Sequence, residues 1–420
     1  MHLSNRGRLV GSGAVAMLAA AVLAGACGSS NKTTTAALSN AAATTNTTAA
    51  APAGTPIKVM QIATLTGPSD NVPQDADAGK ATAKAINAAG GVNGHPIVLE
   101  VCDDKFDPNQ AADCARQAVS DNVAAVVALN SAFGDKVIPI IAAAGIPSVG
   151  DNLLSPAEFT SKNVFPISGG GITGAAAMAY AVAHAGATKI RPVIVDVAAA
   201  KGLVPFVQQA AKLFPSATLL SPVYVPAQAT DVTSQAAAAS GNGADGAFFV
   251  VGGGAGATLT RALRTAGFTG TLATSTQSIT LQEIKELGPQ ATGLLLVSAM
   301  PPPGYTQNPS VKQFTADMKA GGVSGQLSGG MLLAWASLKV TAEALQKAAT
   351  MDGAGLTAAL NSYGEFDFPG LGKWDYSKPL AAYGGLRIFN PYEYISKVDA
   401  NGNLIPIDPD PFDISAAPTK

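Results

Sequence analysis

Residues 57–63 read IKVMQIA, a short run rich in apolar side chains that predicts a buried strand. The run is followed by a Gly-Pro turn at residues 67–68, by QDADAGKATAKAINAAGG at residues 74–91 and by PIVLEVCDD at residues 96–104. The middle segment predicts a helix over Asp75–Ala89 with one alanine-lined face, formed by Ala78, Ala81, Ala85 and Ala89. Strand, helix and strand in this order predict a βαβ unit with parallel strands.

The same alternation of strand and helix continues along the chain. We predict strands at Ile57–Ala63, Pro96–Cys102, Val123–Leu129, Ile146–Val149, Val164–Ser168, Arg191–Asp196, Ala217–Val225, Gly246–Val251, Gly270–Thr274 and Gly293–Ser298. A helix at Met331–Ala349 carries an apolar stripe typical of a buried face, formed by Met331, Trp335, Leu338, Ala342 and Leu345. So many alternating units predict an α/β protein with two doubly wound, mostly parallel sheets, which bind ligands at the carboxyl ends of their strands.

The end of the chain has a different character. From Gly364 the helical pattern stops, and Leu386–Phe389, Tyr392–Val398 and the turn Asn401-Gly402 predict extended strands and a hairpin that closes one sheet. The residues after Ile407 are predicted to form a loose tail.

The first residues have the pattern of an export signal. Arg6 and Arg8 precede an apolar run, Leu9–Ala26, whose small last residues lead into Cys27. We therefore expect residues 1–26 to be removed and Cys27 to be lipid-modified, so that the protein is exported and anchored to the outer face of the cell membrane. Residues 27–55 are mostly Ser, Thr, Ala and Asn and predict a disordered tether. The alternative, an uncleaved membrane helix, is disfavoured by the glycines and serine in the run.

Composition excludes several classes of protein. The chain has 26 Lys and Arg against 28 Asp and Glu, and only 13% of its residues are charged, so it lacks the basic field of a nucleic-acid-binding protein. No apolar run after residue 27 is long enough to span a bilayer. The length beyond the tether suggests two domains, each with its own core.

Cys102 and Cys114 remain once Cys27 carries lipid. Outside the cytoplasm such a pair is expected to form a disulfide, which would stabilise the fold by roughly 3 kcal/mol. A redox or metal-binding pair is the alternative, but the spacing is not Cys-x-x-Cys and the other soft ligand nearby is His95 alone.

Several blocks of sequence together carry a resemblance to a known family. They are IKV (57–59) leading to LTGP (65–68), AINAAGGVNG (85–94), DDKFDPNQAA (103–112), AGIP (144–147), RALRTAG (261–267) and GLGKWD (370–375). In this order they resemble the type I periplasmic binding proteins, in particular the Leu/Ile/Val-binding branch that serves branched-chain amino acid ABC importers.

The resemblance implies a two-lobed fold in which each lobe is discontinuous. It assigns residues 56–170 and 298–374 to lobe 1, residues 171–297 and 375–406 to lobe 2 and residues 407–420 to the tail, with crossings near Gly170, Ser298 and Trp374. It further implies a monomer that is not an enzyme, holds no metal or cofactor, captures a small molecule between hinged lobes and delivers it to a membrane permease.

Candidate ligand-binding residues follow the ends of the predicted strands. Thr64, Leu65 and Thr66 follow the first strand, and Asn130, Ser131 and Ala132 follow the third, where Ser131 could meet a ligand carboxylate or simply cap a helix. The resemblance adds the positions where relatives carry ligand-contacting side chains, here Val72, Asp151, Asn152, Ser155, Ala200, Lys201, Gly252 or Gly253, and Thr276 or Gln277.

The acid that faces the ligand ammonium in relatives is missing from those positions. A buried ammonium without a carboxylate partner is poorly compensated. The sequence therefore favours a neutral or carboxylate-bearing, partly apolar ligand over a standard amino acid.

Three other functions are open to the sequence. Residues Gly169–Gly174 read GGGITG and match the dinucleotide-binding pattern, with Asp196 at the position of a ribose-binding acid, but the export signal and the preceding βα units disfavour an NAD-dependent enzyme. Hydrolysis is disfavoured because only His95 and His184 follow Cys27. A lipoprotein sensor that presents its closed form to a receptor has the same sequence features.

Asp103, Asp104 and Asp107 are predicted to cap the helix that begins at Pro108 rather than to bind a cation.

Overall fold

The computed structural model describes residues 51–67, 71–227, 229–252 and 254–415. The predicted signal, Cys27 and the tether up to residue 50 therefore lie outside the described residues, as does Gly253. Within those described ranges, none of the helices has both the length and the apolar character needed to span a bilayer.

The strands are short and follow one another at regular intervals. They are β1 (Ile57–Ala63), β2 (Ile97–Asp103), β3 (Ala125–Val127), β4 (Ser148–Val149), β5 (Val164–Phe165), β6 (Lys189–Val195), β7 (Thr218–Leu219), β8 (Val223–Val225), β9 (Gly246–Val250), β10 (Thr271–Ser275), β11 (Leu295–Ser298), β12 (Glu365–Phe368), β13 (Gly372–Asp375), β14 (Tyr392–Val398), β15 (Leu404–Pro406) and β16 (Phe412–Asp413).

The helices lie between these strands. They are α1 (Pro73–Ala88), α2 (Pro108–Ser120), α3 (Gly134–Ala143), α4 (Pro156–Thr160), α5 (Gly170–His184), α6 (Ala198–Gly202), α7 (Val204–Ala210), α8 (Thr233–Ala239), α9 (Ala255–Thr265), α10 (Leu281–Leu287), α11 (Pro309–Gly321), α12 (Gly329–Lys347) and α13 (Gly353–Ser362).

The strands form two main sheets. The first is parallel, in the order β2-β1-β3-β4-β5. The second follows the order β15-β14-β11-β10-β9-β6-β7, with β8 beside β6 and β16 beside β14. Strands β6 to β11 are parallel, whereas β14, β15 and β16 add antiparallel pairs at one side. A separate hairpin pairs β12 with β13.

Each sheet has an apolar core on both faces. On the first sheet, Val59 and Val127 pack with α1 and α12, whereas Met60 and Val126 pack with α2 and α3. On the second, the apolar residues of α5 cover one face and those of α8, α9 and α10 cover the other. The α/β fold with two doubly wound, mostly parallel sheets is therefore confirmed. We call the first sheet with its helices lobe 1 and the second sheet with its helices lobe 2.

The apolar stripe of the predicted helix Met331–Ala349 is confirmed. Its five residues are all buried in α12, and Trp335 donates its indole N–H to Asp317 at 2.8 Å. On α1, by contrast, only part of the predicted alanine face is buried, because Ala89 lies beyond the helix and is exposed.

Three sequence predictions about extended segments are wrong. The single strand at Ala217–Val225 is divided into β7 and β8 around Pro222, which cannot donate to a ladder. Leu386–Phe389 is not a strand, because the N–H of Arg387 donates to Phe159 O at 2.8 Å rather than to a neighbouring strand. The chain after Ile407 is not loose up to Ser415, since β16 pairs with β14 and Ile414 is buried.

The contacts of residues 376–390 bear on where the chain crosses for the last time between the lobes. Tyr376 and Phe389 pack in the core of lobe 1 beside α12, and Ile388 packs in its other core. Asn390 then donates to Ile167 O at 2.9 Å, which joins the first and last connecting segments. We therefore propose that this crossing lies near Asn390, in place of Trp374, and that residues 375–389 belong to lobe 1.

Candidate functional site

Buried Asp104 organises the carboxyl edge of the lobe 1 sheet. Its carboxylate accepts hydrogen bonds from Thr64 Oγ1 at 2.7 Å, from Ser131 Oγ and from the N–H of Phe106 at 2.9 Å. Thr64, Asp104 and Ser131 are all at most 3% exposed. The hydroxyls of Thr64 and Ser131 therefore join the loops after β1, β2 and β3 through Asp104.

Asp103 holds the first loop from outside. Its Oδ1 accepts from the N–H of Leu65 at 2.9 Å, of Thr66 at 3.2 Å and of Lys105 at 2.9 Å, and Thr66 Oγ1 donates to Oδ2. Although partial burial acts to raise the pKa of Asp103, the hydrogen bonds from Thr66, Lys105 and Leu65 hold it below its ordinary value. The predicted capping role is therefore wrong for Asp103 and Asp104, and Asp107 alone of the three caps α2, through Asn109 and Gln110.

Two residues of the loop after β4 point into lobe 1. Asp151 is fully buried and accepts from Ser148 Oγ at 2.6 Å. Burial, followed by the nearby Glu158, raises the pKa of Asp151 well above its usual range. Ser155 is the N-cap residue of α4, and its N–H donates to Glu158 Oε2 at 2.7 Å. The sequence treated both as ligand candidates, and in the structure both are buried and contact residues of lobe 1.

A chain of polar side chains crosses from lobe 1 to lobe 2. Asn130 Nδ2 lies 3.4 Å from Asp75 Oδ2, Asn152 Nδ2 donates to Asn130 Oδ1 at 3.3 Å, and Gln277 Nε2 donates to Asn152 Oδ1 at 3.1 Å. Asn152 follows β4 in lobe 1 and Gln277 follows β10 in lobe 2, so the last bond joins the carboxyl edges of the two sheets. We call these four residues the polar bridge.

Asp75 is the member of the polar bridge that the sequence analysis missed. It is 3% exposed, and burial raises its pKa to about 7, partly opposed by the hydrogen bond from Asn130. One signal could have found it, because Asp75 lies three residues before Ala78 and places an acid on the buried side of an amphipathic helix. An acid in that position needs a reason beyond helix formation.

The N-terminus of α12 lies close to the carboxyl edge of the lobe 2 sheet, and we call the space between the two carboxyl edges the cleft. Ser328 Oγ caps the helix by accepting from the N–H of Met331 at 3.2 Å. A Cβ atom on Gly329 would lie 3.5 Å from Ser298 Oγ and 3.8 Å from Thr276 Oγ1. Thr276 was a sequence candidate, whereas Ser298 was named only as a lobe crossing. Two hydroxyls of lobe 2 thus lie near the positive end of a long helix.

The other lobe 2 candidates lie apart from the polar bridge. Lys201 is exposed and forms an ion pair with Asp196, and its ammonium lies 5.0 Å from the ring centre of Tyr224. Ala200 is buried, and Gly252 is exposed after β9. The structure therefore gives Lys201 surface contacts within its own lobe.

The remaining candidates of lobe 1 surround the start of the cleft. Leu65 and Val72 are half-buried, Thr66 and Ala132 are exposed, and the N–H of Val72 donates to Thr64 O at 2.9 Å. They supply mainly apolar surface and backbone groups.

The glycine-rich segment Gly169–Gly174 lies between the lobes. β5 pairs in the lobe 1 sheet, whereas α5 packs on the lobe 2 sheet, so the segment does not belong to a βαβ unit of one sheet. Gly170 has a φ of 61°, and a Cβ there would lie 2.5 Å from Leu153 Cβ. Its glycines thus permit a close crossing of chains.

Cys102 and Cys114 are joined by a disulfide that links β2 to α2, with their Cα atoms 5.7 Å apart. The predicted pairing of these cysteines is therefore confirmed.

The residues described at the two carboxyl edges offer amide, hydroxyl and apolar groups and one buried acid. Within the described part of the chain, no group of three His, Cys, Asp or Glu side chains could hold a metal ion. Such a lining can bind a small molecule through hydrogen bonds and apolar contacts.

Comparison with known proteins gives consistent results. A family model described as a periplasmic binding protein matches residues 56–381. Leu/Ile/Val-binding protein homolog 3 of Brucella melitensis is 39% identical over 74 residues, which are 17% of this chain and span only 20% of that relative.

Solved structures share the fold over nearly their whole length. An extracellular ligand-binding receptor from Verminephrobacter eiseniae has a TM-score of 0.74 at 22% identity, covering 83% of this chain and 99% of that one. A leucine binding protein from Thermotoga maritima has a TM-score of 0.68 at 19% identity, covering 84% and 98%. An R. palustris solute-binding protein of an ABC transporter, in complex with 4-hydroxybenzoate, has a TM-score of 0.72 at 18% identity, covering 85% and 97%.

Proposed function

The chain belongs to the periplasmic binding protein family, and on that premise we propose that it is the solute-binding lipoprotein of an ABC importer. It captures a small molecule between its two lobes outside the cytoplasm and delivers the molecule unchanged to a membrane permease. The family is one of binding proteins, so the proposal includes no catalysed reaction.

The observation that carries the proposal is the bond from Gln277 to Asn152 between the carboxyl edges of the two sheets. Parallel α/β sheets bind ligands at those edges. A ligand that contacts both edges stabilises the closed arrangement by its differential affinity for that arrangement. The closed surface is then what a permease recognises.

The ligand proposed from the sequence is neutral or carboxylate-bearing and partly apolar. The contact residues proposed for it are the exposed or half-buried candidates Leu65, Thr66, Val72, Asn130, Ala132, Asn152, Gly252, Thr276 and Gln277. The named ligands of the similar proteins differ, being leucine for one and 4-hydroxybenzoate for another. Fold similarity therefore does not select the ligand.

The binding function is tested by small-angle scattering of the purified protein with a panel of small molecules. We expect one class of compound to reduce the radius of gyration and to raise the melting temperature, because binding favours the closed and folded state. A protein whose dimensions stay constant with every compound, or that converts a compound to a product, would contradict the proposal.

The proposed anchor is tested separately. Mass spectrometry of the membrane-extracted protein should show a mature N-terminus at Cys27 with an added diacylglycerol. The Cys27→Ala variant should keep residues 1–26 and lose the lipid mass. Wild-type protein released into the medium with an unmodified Cys27 would contradict the lipoprotein assignment but not solute binding.

A further inference from the structure

We propose that Asp75 contacts the bound ligand and that the ligand presents an N–H or O–H donor to its carboxylate. This inference rests on the proposed function, because it defines the ligand chemistry of the same cleft. Asp75 would take the role of the acid that is missing from the positions where relatives carry one. This role narrows the proposed ligand to one that carries a donor and disfavours the carboxylate-bearing alternative.

The first support is the hydrogen bonding of the carboxylate. Asp75 is 3% exposed, its Oδ1 has no hydrogen-bond partner among the described residues, and its Oδ2 has a long 3.4 Å contact with Asn130. Burying a carboxylate oxygen without a hydrogen-bond partner costs free energy, because no interaction offsets the hydration that it loses. Thr64, Ser131 and Phe106, by contrast, satisfy Asp104 in the same lobe. Asp151 Oδ2 likewise has no partner in the described ranges, but Asp151 accepts from Ser148 Oγ at 2.6 Å inside lobe 1. Asp75 differs because its contact is with Asn130 of the polar bridge, so we take its missing partner to be a donor on the ligand.

The second support is the position of Asp75 in the cleft. Its carboxylate contacts Asn130 at one end of the polar bridge. From Asn130 the bridge continues through Asn152 to Gln277 in lobe 2. It also lies against the start of α12, where a Cβ on Gly330 would come within 2.7 Å of Asp75 Oδ2. The absent side chain at Gly330 makes room for the acid, and the positive end of the helix favours its ionised form.

The third support is the distribution of charge around α1. The charged groups of the packed elements are paired with one another: Lys58 with Glu100 at 3.2 Å, Lys339 with Asp317 at 3.0 Å and, on the exposed face of α1, Lys80 with Asp77 at 3.7 Å. Glu343 accepts the hydroxyl of Tyr363, while Lys347 lies 3.4 Å from the ring centre of Tyr363. The remaining charged residues on these elements are Lys84, Asp103, Lys312 and Lys319; Lys84 donates to Ala320 O and Asp103 is bound to the first loop. Over the residues that the structure describes, none of these cations forms an ion pair with Asp75.

Calorimetric titration with matched probes tests the inference. The probes are amines, alcohols, amides and carboxylates built on the isobutyl, benzyl and n-hexyl skeletons, titrated into the full protein at pH 8. We expect a donor probe to bind at least about tenfold more tightly than the carboxylate of the same skeleton, and Asp75→Asn to reduce its affinity about tenfold. Glu393→Gln is the control, because Glu393 is an equally buried acid that accepts from Thr173 Oγ1 at 2.7 Å, away from the polar bridge. It should leave every affinity unchanged.

The pH dependence separates the two kinds of donor. An amine should bind more tightly as the pH rises through the ionisation of Asp75, and an alcohol should respond less, because only the ammonium gains a full charge interaction. Both responses should disappear in Asp75→Asn. Binding with lobe closure that is insensitive to this substitution, or a carboxylate that binds as tightly as its matched donors, would overturn the inference and leave the proposed function intact. No closure with any of the probes or with the wider panel would count against both.

Discussion

The carboxyl edges of the two sheets differ in how their polar side chains are held. In lobe 1, Thr64 and Ser131 are buried and bonded to Asp104, and Asp103 fixes the loop beside them. In lobe 2, Gln277 and Lys201 are exposed, and Gly252 has no side chain. Buried hydrogen bonds therefore hold the loops of lobe 1, whereas Gln277 and Lys201 of lobe 2 have exposed side chains.

From this difference we infer that the two edges have different roles in ligand binding. A fixed edge loses little conformational entropy on binding and can provide selectivity, and an exposed edge can adjust as the lobes close. Substitutions at the lobe 1 edge should therefore affect folding strongly, and those at the lobe 2 edge should affect mainly closure.

The largest effect is expected for Asp104→Ala. It leaves the buried donors of Thr64, Ser131 and Phe106 without an acceptor, so the free energy of unfolding should fall by about 3–4 kcal/mol. Urea denaturation followed by circular dichroism measures it. Asp113→Asn, which removes an exposed ion-pair partner of Arg116, is the control and should change stability by less than about 0.5 kcal/mol. Equal stabilities of the two variants would break the comparison.

The second-largest effect is expected from removing the disulfide beside the lobe 1 edge. Replacing both Cys102 and Cys114 by Ala should lower the free energy of unfolding by about 3 kcal/mol, because the unfolded chain regains the entropy of a 12-residue separation. Reduction of the wild type by dithiothreitol should reproduce the urea midpoint of the variant. A midpoint unaffected by either treatment would show that the cross-link does not support this edge.

A smaller effect is expected from pH. The pKa of Asp75 is raised to about 7 in the folded state, so the folded protein binds a proton that the unfolded chain has released, and stability falls as pH rises from about 4 to about 7. Between pH 6 and pH 8 the loss due to Asp75 should be about 1.4 kcal/mol.

Melting curves of wild type and Asp75→Asn at the two pH values measure this loss. Glu158 and Glu393, whose pKa values burial raises to about 7 and about 8, act in the same direction in both proteins. The difference between the two slopes therefore reports Asp75, and parallel slopes would contradict its raised pKa.

The smallest effect is expected at the lobe 2 edge. Gln277→Ala removes the 3.1 Å bond to Asn152 and should shift the equilibrium toward the open form by about 0.5–1 kcal/mol, with little change in stability. Fluorescence energy transfer between one dye on each lobe measures the shift. Gln282→Ala, an exposed glutamine that bonds to Glu286 within α10, is the matched control. A loss of stability as large as that of Asp104→Ala would end the distinction between the edges.

Much of the architecture could be predicted from the sequence because it depends on local patterns. β1 and β14 have the predicted bounds, and the stripe on α12 is buried as its period indicates. Predictions were wrong where non-local contacts take the place of a ladder, as at Leu386–Phe389, or where a terminal segment gains a partner, as β16 does with β14.

The candidate site was less predictable. Asn130, named from a strand end, and Asn152 and Gln277, named from the family resemblance, come together in the polar bridge, and their contact with a ligand stays a prediction. The sequence could not distinguish these exposed or half-buried side chains from Thr64, Ser131 and Asp151, which follow the same strands but point inward. The direction of a polar side chain at a strand end depends on which buried acceptor lies nearby. For Thr64 and Ser131 that acceptor is Asp104, which follows a different strand and so is not apparent from the local sequence.

Three features could be predicted from the sequence alone: the alternation of elements, the two mostly parallel sheets and the pairing of Cys102 with Cys114. Each follows from short-range periodicity or from the oxidising environment expected for an exported chain. The position of Asp75 beside Asn130 and Gly330, by contrast, comes from tertiary packing. The burial of Asp75, its missing partner and its contact with Gly330 arise from α1 packing against α12, more than 250 residues away along the chain, and no local pattern records that distance.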